Sequence, residues 1–223
     1  MKKQLLMSRL ISLRLIALAV FYLTGVSLTA ASDKVNISIK LPYVDVLHKG
    51  EIVRVQRNQD IENIIDLDYA ITSRPCPPYC IQPAKLAEGI ETVAELEVLN
   101  YLKKMSAGDK SILVIDSREA KWLSKGMIPG AINIPWQRLY NKTANAKEIT
   151  GILELHFDVA KIDGLWNFQG AKTLVFYCNG LWCGQSSTNI KALLALGYPA
   201  HKLKWYRGGM QAWKSLGLTT VKP

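Results

Sequence analysis

Hydrophobic and polar positions alternate with two different periods along the chain. VNISIKL (35–41) sets Val35, Ile37, Ile39 and Leu41 against polar neighbours, and EIVRVQ (51–56) repeats the alternation after the turn-like HKG, so two half-buried strands able to pair are predicted. Residues 57–85 lose periodicity and gather prolines at 75, 77, 78 and 83, the composition of an ordered but irregular wrap. From residue 86 the pattern turns regular. Thr92 followed by Glu95 predicts a capping box, and ELEVLNYLKKM carries Leu96, Leu99 and Leu102 at helical spacing. SILVIDS and TLVFYC are unbroken apolar runs of the buried-strand type; AKWLSKG reads as a short helix ended by Gly126, and AINIPW as a strand lead. After TLVFYC, a helix with Ile190, Leu193, Leu194 and Gly197 on one face is followed by the strand KLKWYR, a Gly208-Gly209 turn and the helix MQAWKSLG. This alternation predicts an α/β fold: a parallel sheet flanked by helices on both faces, preceded by a β-containing extension. In such sheets ligands bind beyond the carboxyl ends of the strands, and Cys178 ends one of them.

The first residues change the expected compartment. Lys2, Lys3, Arg9 and Arg14 precede the apolar run LIALAVFYLTGVSL and the small residues Thr29, Ala30 and Ala31, the order of a secretory signal. The expected organisation is therefore a signal peptide at 1–31, an extension at 32–85 and an α/β domain at 86–223, exported to a periplasm or beyond. A membrane association is expected only if the signal is retained as an anchor. Four of the 28 basic residues and none of the 18 acidic ones lie in the signal, which takes the net charge from +10 to +6 for the mature chain. That mixed surface, without an arginine cluster, does not suggest nucleic acid as a partner.

An oxidising compartment makes the four cysteines candidates for disulfides. Cys76 and Cys80 enclose two prolines and are read as a structural disulfide stapling the wrap. The alternative, half of a metal site, finds no support in the positions of His48, His156 and His201, so no metal and no other cofactor are expected. Cys178 and Cys183 stand in VFYCNGLWCGQSS, between a strand and a helix. A thiolate is favoured where backbone N–H groups and a helix N-terminus face it. The segment Asn179, Gly180, Leu181, Trp182, Gly184, Gln185, Ser186, Ser187 is short-chained enough in places to wrap around an anion, with Ser186 and Ser187 as helix caps. Cys178 as a buried strand-end residue without chemistry is the competing reading.

Three stretches resemble the rhodanese-like sulfurtransferase family: DSREAKWLSKGMIPGAINIPW at 116–136, VFYC at 175–178 and YRGGMQAWKSLG at 206–217. Together they cover roughly residues 86–221. The resemblance implies the family's fold and a cysteine that accepts sulfane sulfur as a persulfide and passes it to a thiol or cyanide. That role falls on Cys178, with Asp116 and Arg118 organising the neighbouring strand ends and Arg207 part of a basic strand end. The implied partners are small sulfur anions or a thiol carrier protein. This loop departs from the family's usual one: it is about two residues longer, carries Cys183, and has no arginine from 178 to 198, which argues against phosphatase chemistry. Cys183, two residues before the helix pattern begins, is the alternative catalytic nucleophile under the helix dipole; beside Cys178 it is expected either to resolve the persulfide, to form a redox or sulfur-carrier-binding pair with Cys178, or to staple an inert interaction module.

Overall fold

A computed structural model describes residues 34–223, and the signal expected at 1–31 lies outside the described residues. Strands β1 (Tyr43–His48) and β2 (Glu51–Gln56) form an antiparallel hairpin with Tyr43 opposite Gln56, and a one-turn helix α1 (Leu67–Ala70) follows. The domain continues through β3 (Glu91–Val93), α2 (Glu95–Ser106), β4 (Ile112–Asp116), β5 (Ile132–Asn133), α3 (Ala146–Phe157) and the small hairpin β6 (Ala160–Ile162) and β7 (Leu165–Asn167). It closes with β8 (Thr173–Tyr177), α4 (Gln185–Ala195), β9 (Leu203–Tyr206) and α5 (Gly209–Ser215). Five strands pair in the order β3-β9-β8-β4-β5, all in parallel, so the carboxyl ends of β4, β8 and β9 open on one side. Asp116, Tyr177 and Tyr206 stand in register at that side.

Both faces of the sheet are buried, and each strand divides its side chains between two cores as its two-residue period requires. In β8, Val175 and Tyr177 join one core with Leu99 and Leu102 of α2 and Trp213 of α5. Leu174 and Phe176 join the other with Leu153 and Phe157 of α3 and Ile190 and Leu193 of α4. The hairpin contributes Val44, Val46 and Val55 to the first core, where it covers α2, and it remains a separate two-stranded sheet that adds no edge to the main one.

Several local expectations change. VNISIKL forms no strand: Ser38 and Leu41 exchange backbone hydrogen bonds across a tight turn before Pro42, and the strand that pairs with EIVRVQ is YVDVLH. Helix α2 begins at Glu95, so the capping contact shifts; the Glu97 carboxylate accepts from the Ala94 N–H at 3.0 Å, while the Thr92 hydroxyl donates to the Ala84 carbonyl. AKWLSK is a 3-10 turn rather than an α-helix. Helix α3 and the β6–β7 hairpin fall in a stretch for which no element was expected.

A buried ion pair joins the sheet to the extension. Arg118 and Asp116 are both fully buried; Arg118 Nε donates to Asp116 Oδ1 at 2.8 Å and Nη2 to Oδ2 at 2.6 Å. The guanidinium also donates to the Gly126 carbonyl (2.8 Å) and to the Tyr69 hydroxyl of the extension (3.0 Å). Tyr177 donates its hydroxyl to Asp116 (3.0 Å) and accepts from the Ile128 N–H (3.1 Å). Burial alone pulls the Arg118 pKa down, but the hydrogen bonds and charge of Asp116 hold it above its ordinary value. Burial, then the charge of Asp116, pushes the Tyr177 hydroxyl well up, so it stays a donor at any physiological pH. Arg118 is thus a buried organising residue, not a solvated one.

Two predictions follow from these contacts. Asp116→Ala leaves a buried, unpaired guanidinium and is expected to destabilise the fold by about 3–5 kcal/mol, read by urea unfolding; a loss near zero would show that the pair contributes little. The hairpin docks through His48, whose Nδ1 accepts from the Gly130 N–H at 3.1 Å while its Nε2 is buried without a partner. Burial, then the charge of Lys49, lowers its pKa below 6.5. The neutral form therefore contributes stability that is fully present above the unfolded pKa and is lost as the pH falls through the lowered folded one. Melting temperatures of wild type and His48→Gln between about pH 7 and about pH 5 should show a steeper acid loss in wild type; parallel curves would remove His48 from the hairpin's pH response.

Candidate functional site

The site forms where β8 ends. Tyr177 turns its side chain to the ion-pair core, so strand alternation sends the next side chain, Cys178, toward the α4 face. Cys178 is joined to Cys183 by a disulfide with Cα atoms 6.2 Å apart, and Cys76 is joined to Cys80. The loop between Cys178 and Cys183 is fixed by its carbonyls. Those of Cys178 and Asn179 accept from the Met210 and Gln211 amides at the start of α5, at 2.9 and 2.8 Å. The Leu181 carbonyl accepts from the Gln82 amide at 2.9 Å. Gly209 allows this approach: its φ is +56°, and a Cβ there would stand 2.4 Å from the Cys178 carbonyl oxygen.

The amides divide differently. The Cys183 N–H donates to the Gly180 carbonyl at 2.9 Å, while among the described residues the N–H groups of Gly180, Leu181, Trp182 and Gly184 donate to no protein acceptor. Four donors of the loop thus remain for a ligand or water. Helix α4 starts at Gln185 without a side-chain cap, so Ser186 and Ser187 lie inside its first turn instead of capping it. Ser186 accepts from the Trp205 indole at 3.1 Å, and Ser187 donates to the Gly184 carbonyl and to Gln82. The Cys178 sulfur lies 3.5 Å from the Gln185 carboxamide oxygen, and the Gln185 amide nitrogen donates to Glu119 at 3.3 Å. Asn179 is buried, and its side-chain oxygen has no hydrogen-bond partner.

Arg207 does not face the loop as a free cation. Its guanidinium donates to the Gln82 carbonyl at 2.6 Å and so holds the extension against the loop. Gln211 makes a second clamp, accepting from the Trp182 indole at 3.1 Å and donating to the Tyr69 carbonyl at 2.8 Å. Tyr79, inside the Cys76–Cys80 turn, meets Trp182 edge-on with ring centroids 5.5 Å apart, and the Arg74 guanidinium lies 4.0 Å from the Trp182 ring centre. The extension is therefore a wall of the site.

Between these parts lies a cavity of about 360 Å³. Tyr79, Trp122, Trp136 and Trp182 give it aromatic walls, and Glu119, Lys121, Asn179 and Gln185 give it polar ones. Cys183 borders it and Cys178 does not. Among the site residues expected from sequence, the structure brings Cys178, Cys183 and the 179–187 segment together, with Asp116 and Arg118 one layer beneath. Tyr79, Trp122, Trp136, Gln82 and Gln211 were not expected there; the aromatic richness of the flanks of 116–136 was the available signal for two of them. Among the described residues no cluster suited to a metal ion occurs.

Solved structures similar to this chain include a Bacillus halodurans protein, 22% identical over 55% of this chain and 70% of that one, with a TM-score of 0.38. Others are a Lactobacillus plantarum protein, 23% identical over 58% and 88% of the two chains with a TM-score of 0.39, and a human single-domain sulfurtransferase, 22% identical over 55% and 93% with a TM-score of 0.37. No curated protein sequence matches the chain. Residues 98–216 match the family described as the rhodanese-like domain, a stretch that takes in the ion pair, the strand leading to Cys178, the whole two-cysteine loop and the helix that clamps it. With more than half of its sequence so matched, the chain belongs to the rhodanese-like domain family.

Proposed function

We propose that the protein is a sulfurtransferase that takes sulfane sulfur from thiosulfate, polysulfide or a persulfide donor onto Cys178, with Cys183 as the resolving thiol. The observation that carries this reading is the cross-link of Cys178, at the carboxyl end of a central strand, to Cys183 at the start of α4. The family includes sulfurtransferases, and the loop amides without protein acceptors supply donors for a sulfur anion. The N-terminal signal pattern supports action in an exported, oxidising compartment.

In the proposed cycle the Cys178 thiolate attacks the outer sulfur of thiosulfate; the new S–S bond makes a persulfide and sulfite leaves with the electron pair of the broken bond. An external acceptor, a thiol or cyanide, then takes the outer sulfur. Without one, the Cys183 thiolate attacks Cys178 Sγ, hydrosulfide leaves, and the loop disulfide forms. Two external thiols reduce it, so the balance of this branch is thiosulfate and two thiols giving sulfite, hydrogen sulfide and one disulfide. A second reading, thiol–disulfide exchange without sulfur transfer, is favoured by the position of Cys178 behind Cys183 and away from the cavity.

The pre-reduced protein given thiosulfate and glutathione is expected to release sulfide, and Cys178→Ser to fall to background. Given thiosulfate without glutathione, Cys183→Ser should hold one added sulfur atom on Cys178, seen by intact and peptide mass spectrometry. Undiminished sulfide release by Cys178→Ser would move the persulfide elsewhere. No sulfur gain on either cysteine, together with exchange of the loop disulfide with glutathione, would favour the second reading.

A further inference from the structure

The two sulfurs of the loop disulfide are not equally open to attack. Cys178 is 1% exposed and absent from the cavity wall; Cys183 is 6% exposed and forms part of it. Thiol–disulfide exchange requires access to the attacked sulfur and proceeds faster when the departing sulfur is a stable thiolate. Cys183 meets the first requirement. Cys178 meets the second, because it belongs to the loop whose Gly180, Leu181, Trp182 and Gly184 N–H groups donate to no protein acceptor among the described residues, and its sulfur lies beside Gln185, the first residue of an 11-residue helix whose N-terminal end favours negative charge.

We propose that the aromatic cavity is the docking site of an external thiol and that Cys183 Sγ is the atom this thiol attacks. The incoming thiolate bonds to Cys183, the bond between the two cysteine sulfurs breaks with its electron pair on Cys178, and Cys178 is left as a thiolate. A second thiol attacks the sulfur of the first, giving the external disulfide and freeing the Cys183 thiolate. Each external thiol gives up its proton to solvent, and the pair supplies the two electrons that reduce the loop. The cavity walls fit a thiol carried on an apolar or planar group, with the Tyr79 and Trp182 rings beside Cys183. The Cys76–Cys80 turn thereby gains a role in binding, since it supplies Pro78 and Tyr79 to the wall. The inference rests on the sulfurtransfer reading only in naming Cys178 as the thiol set free for the next sulfur.

The test uses the oxidised protein and no sulfur donor. It is mixed with reduced glutathione or, separately, with a short cysteine-containing peptide, quenched early with N-ethylmaleimide and mapped by peptide mass spectrometry. The expected intermediate carries the probe on Cys183 and the alkyl group on Cys178, at least about tenfold over the reverse. The reverse pattern, an even split, or reduction of Cys76–Cys80 with no adduct in the 178–183 loop would overturn the proposal. Thr188 lines the cavity from α4, so Thr188→Phe, which fills it from that side, should slow loop reduction about fivefold while the protein still shows a cooperative melting transition. An unchanged rate would remove the cavity from the thiol's route. Faster reaction of the peptide than of glutathione would assign the thiol to a protein partner, and the converse to a small molecule. A protein that gives the expected map but releases no sulfide retains this inference and loses the sulfurtransfer reading; the two fail separately.

Discussion

The Asp116–Arg118 ion pair is the contact on which the arrangement of the site depends. Isolated charges of this kind are costly in a protein interior, and the pair persists because the five N–H donors of the guanidinium face oxygens: two on Asp116, one on the Gly126 carbonyl, one on Tyr69 and, at 3.5 Å, the Trp122 carbonyl. These partners come from the end of a strand, from the turn that follows it and from the extension. Tyr177 adds the neighbouring strand by donating to the same carboxylate. Since Tyr177 is committed to this side of the sheet, the residue after it faces the other, and the Cys178 sulfur is aimed by a charge pair that it does not touch.

The extension completes the same construction from above. Arg207 and Gln211, at the start of the last strand-to-helix segment, hold Gln82 and Tyr69 by their carbonyls, and Gln82 in turn donates to the loop. The loop is thus held between α5 on one side and the extension on the other, with the Tyr79–Trp182 contact closing the rim. Residues before 86 share the core and the cavity with those after it, although the family match begins only at residue 98.

Much of this fold was legible in the sequence because fully buried parallel strands write themselves as short apolar runs. SILVID and TLVFYC had no competing interpretation, and the Gly-Gly pair before MQAWKSLG marked the tight turn from strand to helix. Other parts were written but not recognised. Asn145 does cap α3 through the Glu148 amide, ahead of Ile149, Ile152, Leu153 and Phe157 at helical spacing. The first strand was misplaced because alternation alone is satisfied equally by 35–41 and 43–48; pairing and the burial of Val44 and Val46 decide between them. The cavity was not legible, since its walls come from residues 78–79, 119–122, 136 and 179–188, which only tertiary packing brings together. The same holds for Arg207, whose basic character in sequence gave no sign that a carbonyl of the extension would occupy it.

The carbonyl contacts that pin residues 178, 179 and 181 involve no sulfur atom. The Cys183 N–H, bonded to the Gly180 carbonyl, is held likewise, so breaking the bond between Cys178 and Cys183 leaves their backbones anchored about as far apart as before, 6.2 Å between Cα atoms. The partner thiol is held at a high effective molarity, so re-forming the bond is an intramolecular event that carries little further entropic cost. In the proposed cycle, a sulfur species on Cys178 is consequently on a clock: an outside acceptor competes with a neighbour that is always in place, and the acceptor's concentration decides whether sulfur is delivered or discharged.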